Sequence, residues 1–404
     1  MATTPKWISF DLFQKVLKSY IHENVQLLTF STANAVPDGD NYTSDLFRTT
    51  LFYMDPKKNT KNSLSVIVKC GNEDGGTKTD LAKKLQLFEK EIEMFANTFP
   101  AIYKILGENY TLSSKCLYAS TDPHSVIIFE DLTTVGFQML PRHVGFDLEH
   151  CFKVVEKMAQ MHAASVIMYE ENPSSVKCYR EGLYADNDTV RAWVKAGYSA
   201  VIDACSRWPG YEKYAYKLEA LGNEALERGF EASRKRPRGF HVLNHGDLWV
   251  NNMMFSYDSA DTKVKDMKFV DFQMNIFTSP AIDLHYFLAT STRIEVKVNC
   301  IEIILDYYYA QLLANLTKLR YSLEKVPTRE EFKGDYSSRA FYGFMGAATV
   351  LAFVKASGRK DASFENIIKD DSLEGFRYHA YNNSRYRQHM EFLLPYYDSF
   401  GIFD

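Results

Sequence analysis

Two short segments limit what this chain can become more sharply than any bulk property: His245-Gly246-Asp247-Leu248-Trp249-Val250-Asn251-Asn252 and Phe269-Val270-Asp271-Phe272-Gln273. Between them run Met253-Met254-Phe255-Ser256-Tyr257, a polar stretch across 258–266, and Met267-Lys268-Phe269-Val270. Short apolar runs separated by turn-forming residues read as strand, connection and strand. A hairpin of this kind returns Asn252 and Asp271 to the same end, next to the loop that carries Asp247. Side chains far apart in the chain are thereby expected to share one site.

Upstream, Ile8, Leu12, Phe13, Val16, Leu17 and Tyr20 recur at helical spacing and predict an amphipathic helix. Residues 46–53 and 63–69 are rich in β-branched and aromatic types and flank Asp55-Pro56-Lys57-Lys58-Asn59. That pattern predicts adjacent antiparallel strands, closed by Gly71, Gly75 and Gly76. A helix with the stripe Leu81, Leu85, Phe88, Ile92 and Phe95 follows from about Asp80, and Pro100 is expected to end it. Further strands are expected at 115–119 and 125–129. Beyond about residue 147 the periodicity turns helical, at 147–170, 188–206, 211–233, 294–321 and 336–356, broken by the β-like stretch 253–273. A small antiparallel β segment before a larger helical one is an α+β chain with the two-lobed layout of the protein-kinase-like fold. The lobes are expected at 1–132, with the N-terminal helix and nucleotide-binding groups, and 133–404, with catalytic and acceptor-binding groups.

The 404 residues suffice for a sizeable core, and 46% hydrophobic with 24% charged residues is ordinary for a globular chain. A net charge of -4 lacks the basic excess of a nucleic-acid binder. The one dense basic cluster, Arg234-Lys235-Arg236-Pro237-Arg238, precedes Gly239 and reads as a solvated connection. Six widely spread cysteines with no CxxC pair argue for reduced thiols in a cytoplasmic protein. The first residues lack signal-peptide organisation, and no apolar run reaches bilayer-spanning length. Neither a nucleic acid nor a membrane is expected as a partner, and the chain reads as a monomer.

The chemistry these residues suit is phosphoryl transfer, in which a protein mainly positions groups and neutralises charge. Asp247 is expected to accept or orient a hydroxyl proton, which requires hydrogen-bond reach to the attacking oxygen. Asn252 and Asp271 would hold Mg²⁺ through oxygen, the ligand type that ion prefers. Lys69 closes the strand Leu64-Ser65-Val66-Ile67-Val68-Lys69 and would pair the phosphates of ATP. A glutamate on the next helix would hold it, and periodicity leaves Glu89 and Glu91 equally placed. Gly39-Asp40-Asn41-Tyr42-Thr43-Ser44 occupies the position of a phosphate loop, with Ser44 and nearby amides facing phosphate. Glu130-Asp131-Leu132 fits a hinge whose backbone meets adenine. Asp283 is expected to brace the loop at His245 through backbone hydrogen bonds. His162 and His285 read as packed core histidines.

With these motifs assembled, the chain resembles the ecdysteroid kinase-like family of arthropods, within the aminoglycoside phosphotransferase and choline kinase branch of kinase-like proteins. The resemblance rests on 39–45 with Arg48, Val66-Ile67-Val68-Lys69, Phe88-Glu89-Lys90-Glu91-Ile92, Phe129-Glu130-Asp131-Leu132, Met161-His162-Ala163, 245–255, and Phe269-Val270-Asp271-Phe272-Gln273 leading to Asp283-Leu284. It selects Glu91 as the partner of Lys69. It implies ATP- and Mg²⁺-dependent phosphorylation of a small-molecule hydroxyl, with a moulting steroid or related apolar alcohol as acceptor. The alternatives are another small acceptor, such as a xenobiotic alcohol, choline or an aminoglycoside, or a catalytically silent small-molecule-binding protein with the kinase shape. Roles in insect hormone metabolism or detoxification follow from the same resemblance. Gln273, where protein kinases carry glycine, argues against a protein substrate.

Overall fold

A computed structural model describes residues 4–35, 44–71, 82–107, 110–258, 260, 263–359 and 361–404. The N-terminal sheet has the strand order β1-β2-β3-β5-β4, with every neighbouring pair antiparallel. Its strands are β1 (Gln26–Asn34), β2 (Ser44–Asp55), β3 (Thr60–Gly71), β4 (Cys116–Ser120) and β5 (Val126–Glu130). β2 and β3 pair from Ser44↔Gly71 to Asp55↔Thr60, and Asn59 adopts φ 52 in the tight turn between them. On one face Phe47, Leu51, Val66, Val68 and Cys70 pack with Phe13, Val16 and Leu17 of helix α1 (Phe10–Tyr20). Strand side chains alternate between faces, so Ile67 and Lys69 point the other way, towards the helix that carries Glu91.

That helix departs from expectation. Asp80 and Leu81 lie outside the described residues, as do Gly75, Gly76 and the 39–43 part of the expected phosphate loop. Gln86, at φ 52, precedes α2 (Leu87–Glu93). A π-helical turn, Met94–Thr98, then leads into α3 (Phe99–Leu106), so Pro100 does not end the helix. Phe99 N donates to Met94 O, five residues back, and the shifted register leaves proline in the first turn of α3. Its missing N–H costs little there, which the rule that proline ends helices overlooks.

The larger region is built on helices, some amphipathic and some, such as α8 and α11, with apolar residues on most sides, as burial inside a body requires. They include α4 (Leu148–Glu171), α5 (Asp188–Arg207), α8 (Ala281–Thr290), α9 (Ile294–Lys318) and α11 (Ala340–Lys355). All ten residues of α8 are buried. The expected helix over 211–233 divides into α6 (Glu212–Leu221) and α7 (Glu224–Ser233), because Gly222 takes φ 50 between them. The expected 336–356 segment is interrupted at Arg339, which separates α10 (Arg329–Ser338) from α11. Two small sheets carry the motif loops. β7 (Val242–Asn244) pairs with β10 (Ile276–Thr278), and β6 (Gln138–Met139) flanks the hairpin β8 (Met253–Tyr257)–β9 (Val264–Phe269). The molecule is thus α+β with the two-lobed protein-kinase-like fold, and a five-stranded antiparallel sheet precedes the helical region. No helix among the described residues is long and apolar enough to cross a membrane.

His285 is a core residue, as expected: it is fully buried, stacks on Tyr336 and donates from Nε2 to Tyr336 O at 2.7 Å. Burial pushes its pKa from 6.5 down to about 4, and His241 is likewise held down to about 4. Between those values the unfolded chain binds a proton that the native imidazole refuses. The stability contributed is therefore whole above pH 6.5 and lost as pH falls towards 4. A decline on the order of 3 kcal/mol from His285 is expected. Urea unfolding of wild type and His285→Gln at pH 7.5 and 5 checks it, and the variant should lose less on acidification.

Candidate active site

Lys69, Glu91 and Asp271 meet although the sequence separates them widely. Lys69 Nζ donates to Glu91 Oε2 at 2.5 Å and to Asp271 Oδ1 at 2.7 Å. Glu91 Oε1 accepts from Phe272 N at 3.1 Å, so one carboxylate holds both the lysine and the backbone beside Asp271. Lys69 and Glu91 are 3% and 1% exposed, whereas Glu89 is exposed; packing makes the choice that periodicity left open. Asp271 takes φ 68, a left-handed conformation that turns the chain sharply after β9. Its side chain retains 28% exposure, the most of the three. Burial alone would favour a neutral Lys69, but Asp271 and Glu91 outweigh it and raise the ammonium pKa above its ordinary value. Burial pushes the Glu91 carboxyl upward against the pull of Lys69.

The loop carrying Asp247 is anchored on both sides. Asp283, fully buried on α8, accepts from His245 N at 2.7 Å and Gly246 N at 2.8 Å, and also contacts His162 Nε2 at 3.2 Å. Asn244 Oδ1 accepts from Asp283 N at 3.2 Å. His245 approaches Val270 O through Nε2 at 3.1 Å and packs its ring 4.5 Å from that of Phe272. The loop is thereby locked to the segment that bears Asp271. Gly246 has φ 81, and a Cβ there would lie 2.0 Å from Met274 O. Gly246→Ala is expected to cost about 3 kcal/mol or more, through strain and backbone collision together. Denaturant unfolding measures this, with Gly358→Ala as control, since a Cβ at Gly358 meets nothing within 4 Å.

Asp247 accepts from Tyr286 OH at 2.6 Å through Oδ1 and from Asn252 Nδ2 at 3.0 Å through Oδ2. Asn252 Nδ2 also donates to Asp247 O at 2.8 Å, which leaves the amide oxygen for another partner. Val270 N donates to Asn252 O at 3.0 Å, so the hairpin does bring Asn252 and Asp271 to one end. Burial pushes the Asp247 carboxyl from 3.8 up to about 7, and nearby Asp271 adds to this, while the Tyr286 and Asn252 hydrogen bonds pull it down. A carboxyl with such a pKa exchanges protons readily near neutrality.

These groups line one cavity of about 740 Å³. Ser44, at the start of β2, and Glu130 and Leu132, at the end of β5, also line it. Asp131 ties that junction to the sheet, accepting from Arg48 Nε at 2.9 Å and Ser65 Oγ at 2.8 Å. Sequence reasoning missed Tyr286, although its place three residues after Asp283 on one helix was a usable signal. It also missed the walls from the helical region, including Leu140, Leu183, Trp193, Trp249, Met274 and Phe353. These come from separate segments and carry no common motif.

Among the described residues no group of three or more His, Cys, Asp and Glu could hold a metal ion. The donors present are the Asn252 amide oxygen and the Asp271 carboxylate, hard oxygen ligands on one side of the cavity. That set fits Mg²⁺, which takes few protein ligands and completes its shell with phosphate oxygens and water.

A lysine–glutamate pair spanning sheet and helix, facing an aspartate loop on a helical body, defines a protein-kinase-like protein. Sequence comparison narrows the class: the chain belongs to the ecdysteroid kinase-like family, whose profile matches residues 38–321, more than half its length. Comparison with curated proteins finds no match.

Proposed function

We propose that this protein transfers a phosphoryl group from ATP to a hydroxyl of a small, largely apolar molecule, an ecdysteroid or related alcohol. The observation that carries the reading is the shared cavity of Lys69, Asp247, Asn252 and Asp271. In this reading residues 1–132 bind the nucleotide and 133–404 supply the catalytic loop and acceptor walls. Lys69, held by Glu91, pairs the phosphates, and Ser44, Glu130 and Leu132 line the nucleotide side. Mg²⁺ at Asn252 and Asp271 would neutralise charge on the transferring phosphates. Asp247, ionised and aimed by Tyr286 and Asn252, receives the acceptor hydroxyl's proton as its oxygen attacks. His245 and Asp283 hold that loop in place.

The acceptor class follows from the walls. The carboxylates lining the cavity are Glu91, Glu130, Asp131, Asp247 and Asp271, so the segments 138–193 and 274–353 contribute none. Their aromatic and aliphatic side chains suit an uncharged, apolar acceptor better than a polycation. Incubating the protein with Mg-ATP and a mixture of ecdysteroids, plant-derived alcohols, choline and an aminoglycoside, then reading products by mass spectrometry, tests this. Phosphorylation confined to the cationic acceptors would reject the apolar assignment. No product and no magnesium-dependent nucleotide binding would reject the kinase reading.

A further inference from the structure

The helical region contains a second cavity, of about 380 Å³, whose walls include His143, Arg293, Glu295, Arg385, Gln388 and His389. Its charge is one-sided. Arg385, exposed in the first turn of helix α12 (Ser384–Asp398), forms no hydrogen bond or ion pair with a described residue. Arg293 reaches Asp147 only at 3.6 Å and donates to Gly145 O at 3.3 Å. Two buried lysines nearby pair with no carboxylate among the described residues. Lys297 Nζ donates to Thr292 O at 2.6 Å and Thr292 Oγ1 at 2.9 Å, and Lys355 Nζ to His143 O at 3.2 Å. His389 is 4% exposed, and its Nδ1 has no hydrogen-bond partner among the described residues. Burial holds Lys355 down at about 8, with Arg385 adding to the push, and it also holds His389 far below its ordinary value. Glu295 is the one acid in the wall.

The backbone contributes the same sign. α9 runs for 25 residues, and no side chain caps its N-terminus. Its first turn, at Ile294 and Glu295, lines the cavity with the positive end of the helix dipole. The nine-tenths-buried His389, a helix start with no side-chain cap and the Arg385 guanidinium thus line one hollow.

We propose that this hollow is a second binding site, for a phosphate-bearing anion held by Arg385, His389 and the first amides of α9. The shared chemistry is the phosphate group, whether as the free ion or as a phosphate monoester, and the volume admits either. His143 lines both cavities, and Lys355 holds its carbonyl. An anion seated here acts on the wall of the large cavity from behind. The site does not depend on the kinase reading.

The test is calorimetric titration and thermal unfolding of the full chain with inorganic phosphate and with glycerol 2-phosphate, at ionic strength matched by sodium chloride. Saturable binding is expected, weakened roughly tenfold or more by Arg385→Glu, as loss of a charge-assisted contact requires. Arg385 is exposed, so the variant should fold normally. Lys18→Glu, an equal charge change on α1, should leave binding unaltered. Tighter binding of the monoester would name a phosphorylated metabolite as ligand, and the reverse order the free ion. Equal losses in Arg385→Glu and Lys18→Glu, or no saturable binding beyond the chloride control, would overturn the proposal.

Discussion

Asp247→Ala is expected to lower kcat by about 10³ or more while leaving Mg-ATP affinity within a few-fold. The carboxylate is 9% exposed and faces the cavity between Tyr286 and Asn252, and neither donor can replace a proton acceptor. Alanine is the better probe than asparagine. An amide at 247 has one orientation that sets its N–H groups against Asn252 Nδ2, and in that orientation Asn252 must turn and use the oxygen proposed for Mg²⁺. With alanine, Asn252 Nδ2 keeps its 2.8 Å bond to the carbonyl of residue 247, and the metal ligand stays aimed. The pH profile supplies a second readout. Burial raises Asp247 to about 7, so wild-type activity should climb as pH rises through that value and the base ionises. Residual activity of the variant should lack this limb. Full turnover by Asp247→Ala would remove the residue from the mechanism.

Lys69→Met should abolish the stabilisation that Mg-ATP confers and lower kcat/KM by at least about 10². It should also destabilise the empty protein by roughly 3–5 kcal/mol, because Glu91 at 1% exposure would keep only the Phe272 N–H as partner. The double variant Lys69→Met/Glu91→Gln separates the two effects. Neutralising both partners should restore much of the stability and none of the nucleotide response, by urea unfolding and by thermal shift with Mg-ATP. Nucleotide stabilisation of wild-type size in the double variant would show that Lys69 does not pair phosphate.

How far the site could be read in advance depended on whether its geometry is local. The approach of Asn252 to Asp271 follows from a strand, a connection and a strand within about twenty residues, and pairing from Met253↔Phe269 delivers it. The brace by Asp283 spans 38 residues to His245 and rested on residue chemistry instead, since a carboxylate in an apolar stretch has few donors but backbone amides. Glu91 was different. On an isolated helix it and Glu89 flank the apolar stripe equally, and only docking against β3 buries one and exposes the other. The course of the chain at Pro100 went unread for a different, local reason. Proline terminates a helix held in a four-residue register, and the π turn at Met94–Thr98 changes that register first.

The edge strand β1 went unread because its residues alternate weakly: Leu27 is buried, and most of the others are exposed or half-buried. Its place in the sheet comes from the unpaired edge of β2, which the sequence of β1 does not encode.

The α+β class, most of the strands and helices apart from β1 and α8, and the polar residues of the proposed chemistry apart from Tyr286 were legible in the sequence alone, because period and residue chemistry act over a few neighbours. Which glutamate meets Lys69, how the Tyr286 hydroxyl reaches Asp247 and which apolar side chains wall the cavity were decided only in the folded molecule. Those contacts join segments whose approach is set by packing the whole body, a free energy shared among many side chains and written in no single stretch of them.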